Sequence, residues 1–256
     1  MRIVVKVGTS TLTHNTGRIN IRRVEALCRV LSDLKNAGNE LILVSSGAIG
    51  MGVGKLMLSE RPDDIPTKQA AAAVGQCELM YVYDNEFSKY NHNVAQILIT
   101  GTDVENPAHL KNFQNTVNRL LEFGVLPVIN ENDSVSTDEI SIGDNDALGA
   151  IVSVYSEADL LIILSDIDGL YDKNPSVYSD AKLIKTVTEI THEITVMGGG
   201  KGSTFGTGGM RTKLHAAQIA MEAGIDMIIA NGRNPEILYD IMEGKDVGTL
   251  FTSKEK

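Results

Sequence analysis

Two lysines occupy positions where binding a phosphate would explain their charge. Lys6 interrupts the apolar run at residues 3–7, which predicts a buried strand, and burying a lysine without a partner is costly. Lys213 lies in the first turn of a helix predicted to begin at Met210, directly after the glycine-rich stretch 198–209. Main-chain N–H groups at a helix start and a nearby ammonium group both favour phosphate. Both lysines are therefore candidates for holding a phosphoryl group. The alternatives are an edge-strand lysine that faces water and a glycine-rich lid.

Three loops of small residues follow predicted strands, at positions 8–10, 45–48 and 165–169. Ligands of parallel sheets bind beyond the carboxyl ends of the strands. Glycines there let the main chain approach an anion closely, and serine and threonine hydroxyls add donors. Ordinary tight turns use the same residue types, so each loop alone fits a structural role equally well. The segment 206–213 matches neither a Walker A loop nor a dinucleotide fingerprint, and protein-kinase signatures are missing from the sequence.

Carboxylates and amides concentrate in two short segments, 130–133 and 143–146. Such a concentration is typical of a solvated loop. In a site, it would recognise an ammonium group or organise lysines and a magnesium nucleotide. The five histidines are isolated in the sequence, so they predict no metal centre.

The elements that must position these residues alternate between short β-branched runs and longer helical patterns, which is typical of βαβ units around a mainly parallel sheet. The predicted strands are 3–7, 41–44, 94–99, 125–129, 160–164 and 225–229. The predicted helices are 21–34, capped by Asn20 and stopped by Gly38, then 68–87, 107–123, 147–155, 210–223 and a short closing helix from Pro235. The sequence shows no repeat and no linker, so we expect one domain.

Composition excludes several classes of protein. The chain has 256 residues, 43% of them hydrophobic, and a formal net charge of −10. This charge repels nucleic acid and anionic lipid, so neither is an expected partner. Cys28 and Cys77 have no metal-ligand or disulfide spacing, and buried positions in helices are expected for both. No signal peptide can be recognised and the longest apolar run, 160–164, cannot span a bilayer, which predicts a cytoplasmic protein.

Taken together, the ordered segments resemble the amino acid kinase family. They are residues 6–10, 45–48, 128–133, 143–146, 165–171 and 206–213, and the resemblance continues to 247–251. It implies an α/β three-layer sandwich with a mainly parallel central sheet, the carbamate kinase-like fold. It also implies a single domain over 1–256, with the acceptor bound in the N-terminal half and the nucleotide in the C-terminal half. Many members close to this pattern continue into a PUA module, and no PUA domain is expected here.

The resemblance assigns roles residue by residue. Lys6 and Lys213 would flank the transferring phosphoryl group, and Asp146 would hold their two ammonium groups in position. The acceptor would be bound by Ser46, Gly47, Asp133 and Asn145. ATP would be bound by Lys6, Ser165, Asp166, Thr207, Gly208, Gly209, Met210, Arg211, Thr212 and Lys213.

Within the family, the motifs resemble those of members that use ATP to phosphorylate the γ-carboxylate of L-glutamate, the first step of proline biosynthesis. A glutamate side chain ordinarily has a pKa of about 4.3 and is ionised at neutral pH, so its attack on phosphorus needs no general base. Asp133, Asn130 and Asn145 offer partners for the α-ammonium of free glutamate, whereas an N-acetylated acceptor would favour a neutral or apolar pocket.

Several further expectations follow from the resemblance. Magnesium would be bound to the nucleotide, the protein would form a homo-oligomer, and proline would act as a feedback inhibitor. Two alternatives stay open. The first is a sibling kinase acting on N-acetylglutamate, carbamate, aspartate or a nucleoside monophosphate, and the second is a non-catalytic nucleotide-binding regulator.

Overall fold

One mixed sheet of eight strands runs through the residues that the computed structural model describes, which are 1–14, 18–135, 145–198 and 209–253. Its order is β3-β4-β2-β1-β5-β7-β8-β6, and all pairs are parallel except β7 with β8. The strands are β1 Arg2–Val7, β2 Glu40–Ser45, β3 Val94–Ile99, β4 Leu126–Glu131, β5 Leu160–Ser165, β6 Thr186–Val187, β7 Asp226–Asn231 and β8 Thr249–Phe251. The predicted mainly parallel α/β architecture is confirmed.

Ten helices lie in the same described ranges. They are α1 Thr9–Leu12, α2 Ile21–Asn36, α3 Ala48–Lys55, α4 Ile65–Ser88, α5 Gly101–Glu105, α6 Pro107–Glu122, α7 Asn145–Tyr155, α8 His192–Met197, α9 Met210–Glu222 and α10 Ile237–Met242. None of them combines the length and the hydropathy that crossing a membrane requires.

The six predicted strands and the five longer predicted helices are present, with ends shifted by a few residues. Asn20 caps α2 by accepting a hydrogen bond from the Arg23 N–H, and Gly38 follows the helix with a φ of +93°. The closing helix begins at Ile237 rather than at Pro235, so its predicted start was wrong. Cys28 is buried in α2 as expected, whereas Cys77 is exposed on α4, so its expected burial was also wrong.

The sheet is covered on both faces, which makes three layers. Side chains of α6, α7 and α9 pack on one face, and those of α2, α4 and α10 pack on the other. Alternation along β1 places Val4 on the first face and Val5 on the second. Lys6 therefore shares the face of Val4, beneath α7 and α9.

Strand β1 lies at the point where the chain changes direction across the sheet. Its neighbours are β2 on one side and β5 on the other. Clefts of open α/β sheets form at the carboxyl ends of strands at such a switch point. The loops at 8–10, 45–48 and 165–169 all follow these three strands, so the topology gathers them at one edge.

Helices α3 and α4 pack unusually closely because two glycines face the contact. A methyl group on Gly52 would overlap the carbonyl oxygen of Ala71, and one on Gly75 would overlap the carbonyl oxygen of Ala48. By contrast, a methyl group on Gly50 would lie 3.5 Å from Thr9 Cγ2, an ordinary contact.

Replacing Gly52 with alanine should therefore destabilise the fold. We expect Gly52→Ala to lower the free energy of unfolding by about 2–3 kcal/mol, because main chain must move to admit the methyl group. Gly50→Ala is the matched control in the same helix and should be neutral or stabilising by about 0.5–1 kcal/mol, because alanine favours helix. Urea unfolding of both variants measures the difference, and equal effects would contradict the close-packing interpretation.

Candidate active site

A buried carboxylate joins two lysines at the centre of the switch point. Lys6 Nζ lies 2.7 Å from Asp146 Oδ1, and Lys213 Nζ lies 3.0 Å from Asp146 Oδ2. Both lysines are 5% exposed and Asp146 is fully buried. Thr212 also donates its hydroxyl to Asp146 Oδ2, at 3.0 Å. Two ammonium groups share one carboxylate, so the formal charges of these three groups sum to +1.

Three separate elements bring these groups together. Lys6 comes from β1, Asp146 from the first turn of α7, and Lys213 from the first turn of α9. Gly149, one turn along α7 from Asp146, lets the helix lie close to β1, since a Cβ there would be 3.3 Å from Lys6 Cβ. The sequence thus folds to bury the lysine's stem under α7 and to leave its ammonium group facing the start of that helix. The alternative of an edge-strand lysine is excluded.

The two lysines keep Asp146 ionised. Burial alone would raise the pKa of this carboxyl group, but the opposite charges of Lys6 and Lys213 outweigh it and hold the pKa well below its usual range. Asp146 therefore stays negatively charged at every pH at which the protein would be assayed.

Amide and hydroxyl side chains form a second cluster on the β2 and β4 side. Asn145 Nδ2 donates to Ser46 Oγ at 2.7 Å and to Asn130 Oδ1 at 3.0 Å, and it also lies 3.3 Å from the Ser45 carbonyl oxygen. Asn130 Nδ2 donates to Gln76 Oε1 at 2.9 Å. We call the chain Gln76, Asn130, Asn145, Ser46 the amide relay.

The direction of the relay is fixed by the main chain. The Glu131 N–H can only donate, and it donates to Asn130 Oδ1 at 2.9 Å. Asn130 must therefore turn its NH₂ group to Gln76 and its oxygen to Asn145. Asn145 in turn must present Nδ2 to Asn130 and Ser46, which leaves its own carbonyl oxygen on the other side. Because Ser46 Oγ accepts from Asn145, its hydroxyl hydrogen is available to donate elsewhere.

The other predicted acceptor residues lie beside the relay. Gly47 adopts a φ of +106°, which suits glycine, and it precedes the first turn of α3. Asp133 follows β4, the strand next to β2, and is partly exposed. The structure thus joins Ser46 and Asn145 by a direct hydrogen bond and places Gly47 and Asp133 after the same two neighbouring strands.

The predicted nucleotide residues follow β5 and open α9. Ser165 ends β5, and its hydroxyl lies 3.2 Å from Asp166 Oδ1. The Gly232 N–H after β7 donates to the Ser165 carbonyl oxygen at 2.7 Å, which ties the two loops together. Gly209 precedes α9, whose first turn holds Met210, Arg211, Thr212 and Lys213. Thr207 and Gly208 lie outside the described residues.

Sequence reasoning missed the support that α4 gives to this site. Gln76 is buried and contacts Asn130, and Tyr83, seven residues further along α4, shares a 2.8 Å hydrogen bond with the Ser45 hydroxyl. Both are buried together with Ala72 and Leu79 of the same helix. The available signal was a glutamine at a position of α4 where helical spacing requires an apolar residue.

Comparisons with known proteins show which families resemble this chain. Curated glutamate 5-kinases are similar to this chain over nearly its whole length. The one from Clostridium perfringens (strain 13 / Type A) is 57% identical over 99% of this chain and 96% of its own length. The one from Listeria innocua serovar 6a is 52% identical over 100% of this chain and 94% of its own length.

Solved structures share the fold at low sequence identity. Carbamate kinase from Giardia lamblia bound to AMP-PNP superposes with a TM-score of 0.70 at 15% identity, over 99% of this chain and 98% of that one. The T. acidophilum isopentenyl phosphate kinase product complex gives 0.65 at 16% identity, over 98% of this chain and 100% of that one. The sequence profile of the amino acid kinase family matches residues 1–231. With its sheet order, its shared carboxylate and these relatives, the chain belongs to the amino acid kinase family.

Proposed function

We propose that this protein transfers the γ-phosphoryl group of ATP to the side-chain carboxylate of L-glutamate, giving L-glutamyl 5-phosphate and ADP, the first step of proline biosynthesis. The observation that carries the proposal is the buried cluster of Lys6, Asp146 and Lys213, which lies between an acceptor-side loop and a nucleotide-side loop. Relatives named glutamate 5-kinase, 52% and 57% identical over nearly the full chain, support glutamate as the acceptor.

The cluster supplies the electrostatics that this transfer needs. Nucleophile and phosphoryl group are both anions, so the reaction requires positive charge on the phosphoryl oxygens and in-line positioning. Lys6 and Lys213 provide that charge. Asp146 holds both ammonium groups in fixed positions away from solvent. The glutamate carboxylate is already ionised, so its oxygen attacks the γ-phosphorus while the bond to the β–γ bridging oxygen breaks, and ADP leaves with that electron pair.

Acceptor recognition follows from the direction of the amide relay. The outward hydroxyl hydrogen of Ser46 can donate to a carboxylate, and the carbonyl oxygen of Asn145 can accept from an ammonium group. Asp133 adds a negative charge at the same edge of the sheet. An amino acid with a free ammonium group and a carboxylate fits these three side chains. An N-acetylated substrate would leave the oxygens of Asn145 and Asp133 without an ammonium partner.

The order of the strands supports separate binding regions for the acceptor and the nucleotide on one sheet. The acceptor residues follow β2 and β4, and the nucleotide residues follow β5 or open α9. Strand β1 with Lys6 lies between the two groups. The Giardia lamblia carbamate kinase, which was solved with AMP-PNP, has the same fold and supports a nucleotide as one ligand of this fold.

Magnesium would be carried by the nucleotide. Both oxygens of Asp146 already face ammonium groups, and the described ranges contain no cluster of three or more His, Cys, Asp or Glu side chains suited to a metal. These residues fit an ion held by phosphate oxygens, where it would neutralise phosphate charge.

The homo-oligomer and inhibition by proline remain predictions of the family resemblance, and the cytoplasmic location remains a prediction from the sequence.

An acceptor panel tests the proposed reaction directly. With Mg-ATP and hydroxylamine, which traps acyl phosphates, L-glutamate should yield hydroxamate, and N-acetylglutamate and aspartate should not. Lys213→Met is the control for the chemistry and should lower kcat by about 10²–10³-fold, because it removes a charge from the developing transition state. Hydroxamate only with another acceptor would replace glutamate in the proposal, and ADP formation with none would favour a regulator.

The shared carboxylate predicts an unusual pattern of stability. Asp146→Asn should lower the free energy of unfolding by about 3–5 kcal/mol, because it removes the negative charge that faces two buried ammonium groups. Adding Lys213→Met to that variant removes one of these charges and should restore part of the loss. Urea unfolding of the single and double variants measures it. A double variant less stable than Asp146→Asn would contradict the charge arrangement.

The pH dependence of kcat/KM should reflect ionisation of the substrate carboxylate rather than ionisation of an enzyme group. Because the pKa of Asp146 is lower in the folded state than its unfolded value of about 3.9, its stabilising effect is present at neutral pH and is lost only below about pH 4. We therefore expect kcat/KM for glutamate to be flat from roughly pH 6 to 8 and to fall only as the acceptor carboxylate, with a pKa of about 4.3, is protonated. An acidic limb near a pH of about 6.5 would instead indicate a histidine base.

A further inference from the structure

Helix α4 carries a polar side chain that the proposed reaction has not yet used. Gln76 lies two turns before Tyr83 on the buried side of the helix and is 7% exposed. Its Oε1 accepts from Asn130 Nδ2 at 2.9 Å. Its Nε2 is buried and has no hydrogen-bond acceptor among the described residues. A buried donor without an acceptor costs free energy, so a methionine or leucine would suit this position better if packing were its only role.

Gln76 contacts Asn130 Nδ2, the side-chain atom of Asn130 that has no main-chain hydrogen bond among the described residues. The Glu131 N–H and Asn145 both occupy the oxygen side of the Asn130 amide. Gln76 Oε1 is the acceptor for the opposite, NH₂ side. Without it, Asn130, which is 1% exposed, would keep an unsatisfied buried donor, and this cost would favour a rotation of its amide away from the Glu131 N–H towards another acceptor.

Such a rotation would be transmitted along the amide relay. Asn145 Nδ2 divides its hydrogen bonds between Asn130 Oδ1 and Ser46 Oγ. If Asn130 turned away, Asn145 would lose the partner that keeps its carbonyl oxygen on the acceptor side, and Ser46 would lose the donor that sets its hydroxyl hydrogen outward.

We propose that Gln76 is a positioning residue for the amino-acid acceptor, which it affects through Asn130 and Asn145 without touching the phosphoryl group. This inference rests on the proposed function, since it assigns Gln76 to recognition of the acceptor's ammonium and carboxylate groups. Gln76 contacts neither Lys6, Asp146 nor Lys213 in the hydrogen bonds of the described residues. Its loss should therefore change acceptor binding and leave nucleotide binding and the chemical step intact.

The test is a comparison of Gln76→Met with Phe87→Leu. Methionine has a similar length and no acceptor for Asn130, and it replaces one unsatisfied buried donor by another, so Tm should stay close to that of the unmodified chain. KM for L-glutamate should rise by about tenfold or more, equivalent to about 1.4 kcal/mol, with kcat and KM for ATP within about twofold. Phe87→Leu trims a fully buried side chain of the same helix, three turns beyond Gln76 and outside the relay. It should lower Tm and leave KM for glutamate unchanged.

A second variant keeps the test decisive if Gln76→Met does not fold. Gln76→Asn retains an amide but is one methylene too short to reach Asn130, and it should show the same rise in KM for glutamate. A KM for glutamate within about threefold of that of the unmodified chain, in variants that fold, would overturn the inference. A fall in kcat together with a rise in KM for ATP would also overturn it. Failure of the unmodified chain to form hydroxamate with glutamate would overturn the proposed function itself, and that outcome is seen before any variant is compared.

Discussion

The structure is organised around one carboxylate that holds two lysines. Asp146 is fully buried, and it would be protonated or absent from such a place without the opposite charges of Lys6 and Lys213. The reverse also holds, because neither ammonium group could be buried to 5% exposure without the carboxylate. Three elements distant in sequence, β1, α7 and α9, are thus held to one point. In the proposed reaction, the two ammonium groups at that point would meet the anionic phosphoryl group.

The acceptor side uses hydrogen-bond direction where the phosphoryl side uses charge. The Glu131 N–H fixes Asn130, Asn130 fixes Asn145, and Asn145 fixes the Ser46 hydroxyl. A side-chain amide can rotate and exchange its donor and acceptor positions. Such a chain of hydrogen bonds therefore specifies a ligand only if each amide is held in one orientation. Helix α4 contributes to this through Gln76, and Gly52 and Gly75 allow α3, which begins beside Ser46 and Gly47, to lie against it.

The sequence predicted those parts of the structure that show a regular hydrophobic period or a residue whose burial is costly in free energy. Alternating strands and helices were predictable because their burial patterns are regular, and Lys6 was conspicuous because charge is costly in a central strand. The one-turn helix α1 is too short to show a period, and α3 contains three glycines that disfavour helix outside the packing with α4. Helical spacing indicated that Gln76 is buried, but it was missed because its partner Asn130 lies on β4, 54 residues further along the chain, and meets it only after the chain folds.

The two clusters meet within α7, and this has a consequence for how the halves of the site act together. Asn145 belongs to the amide relay, and the next residue, Asp146, belongs to the lysine cluster. A displacement at the start of α7 would therefore alter the acceptor partners and the two ammonium groups at once. Gly149 fixes the distance of this helix from β1 one turn later. In the proposed reaction, adjacent residues of one helix would thus couple binding of the amino acid to the charge that meets the phosphoryl group, and the same element would align the acceptor oxygen with the phosphorus.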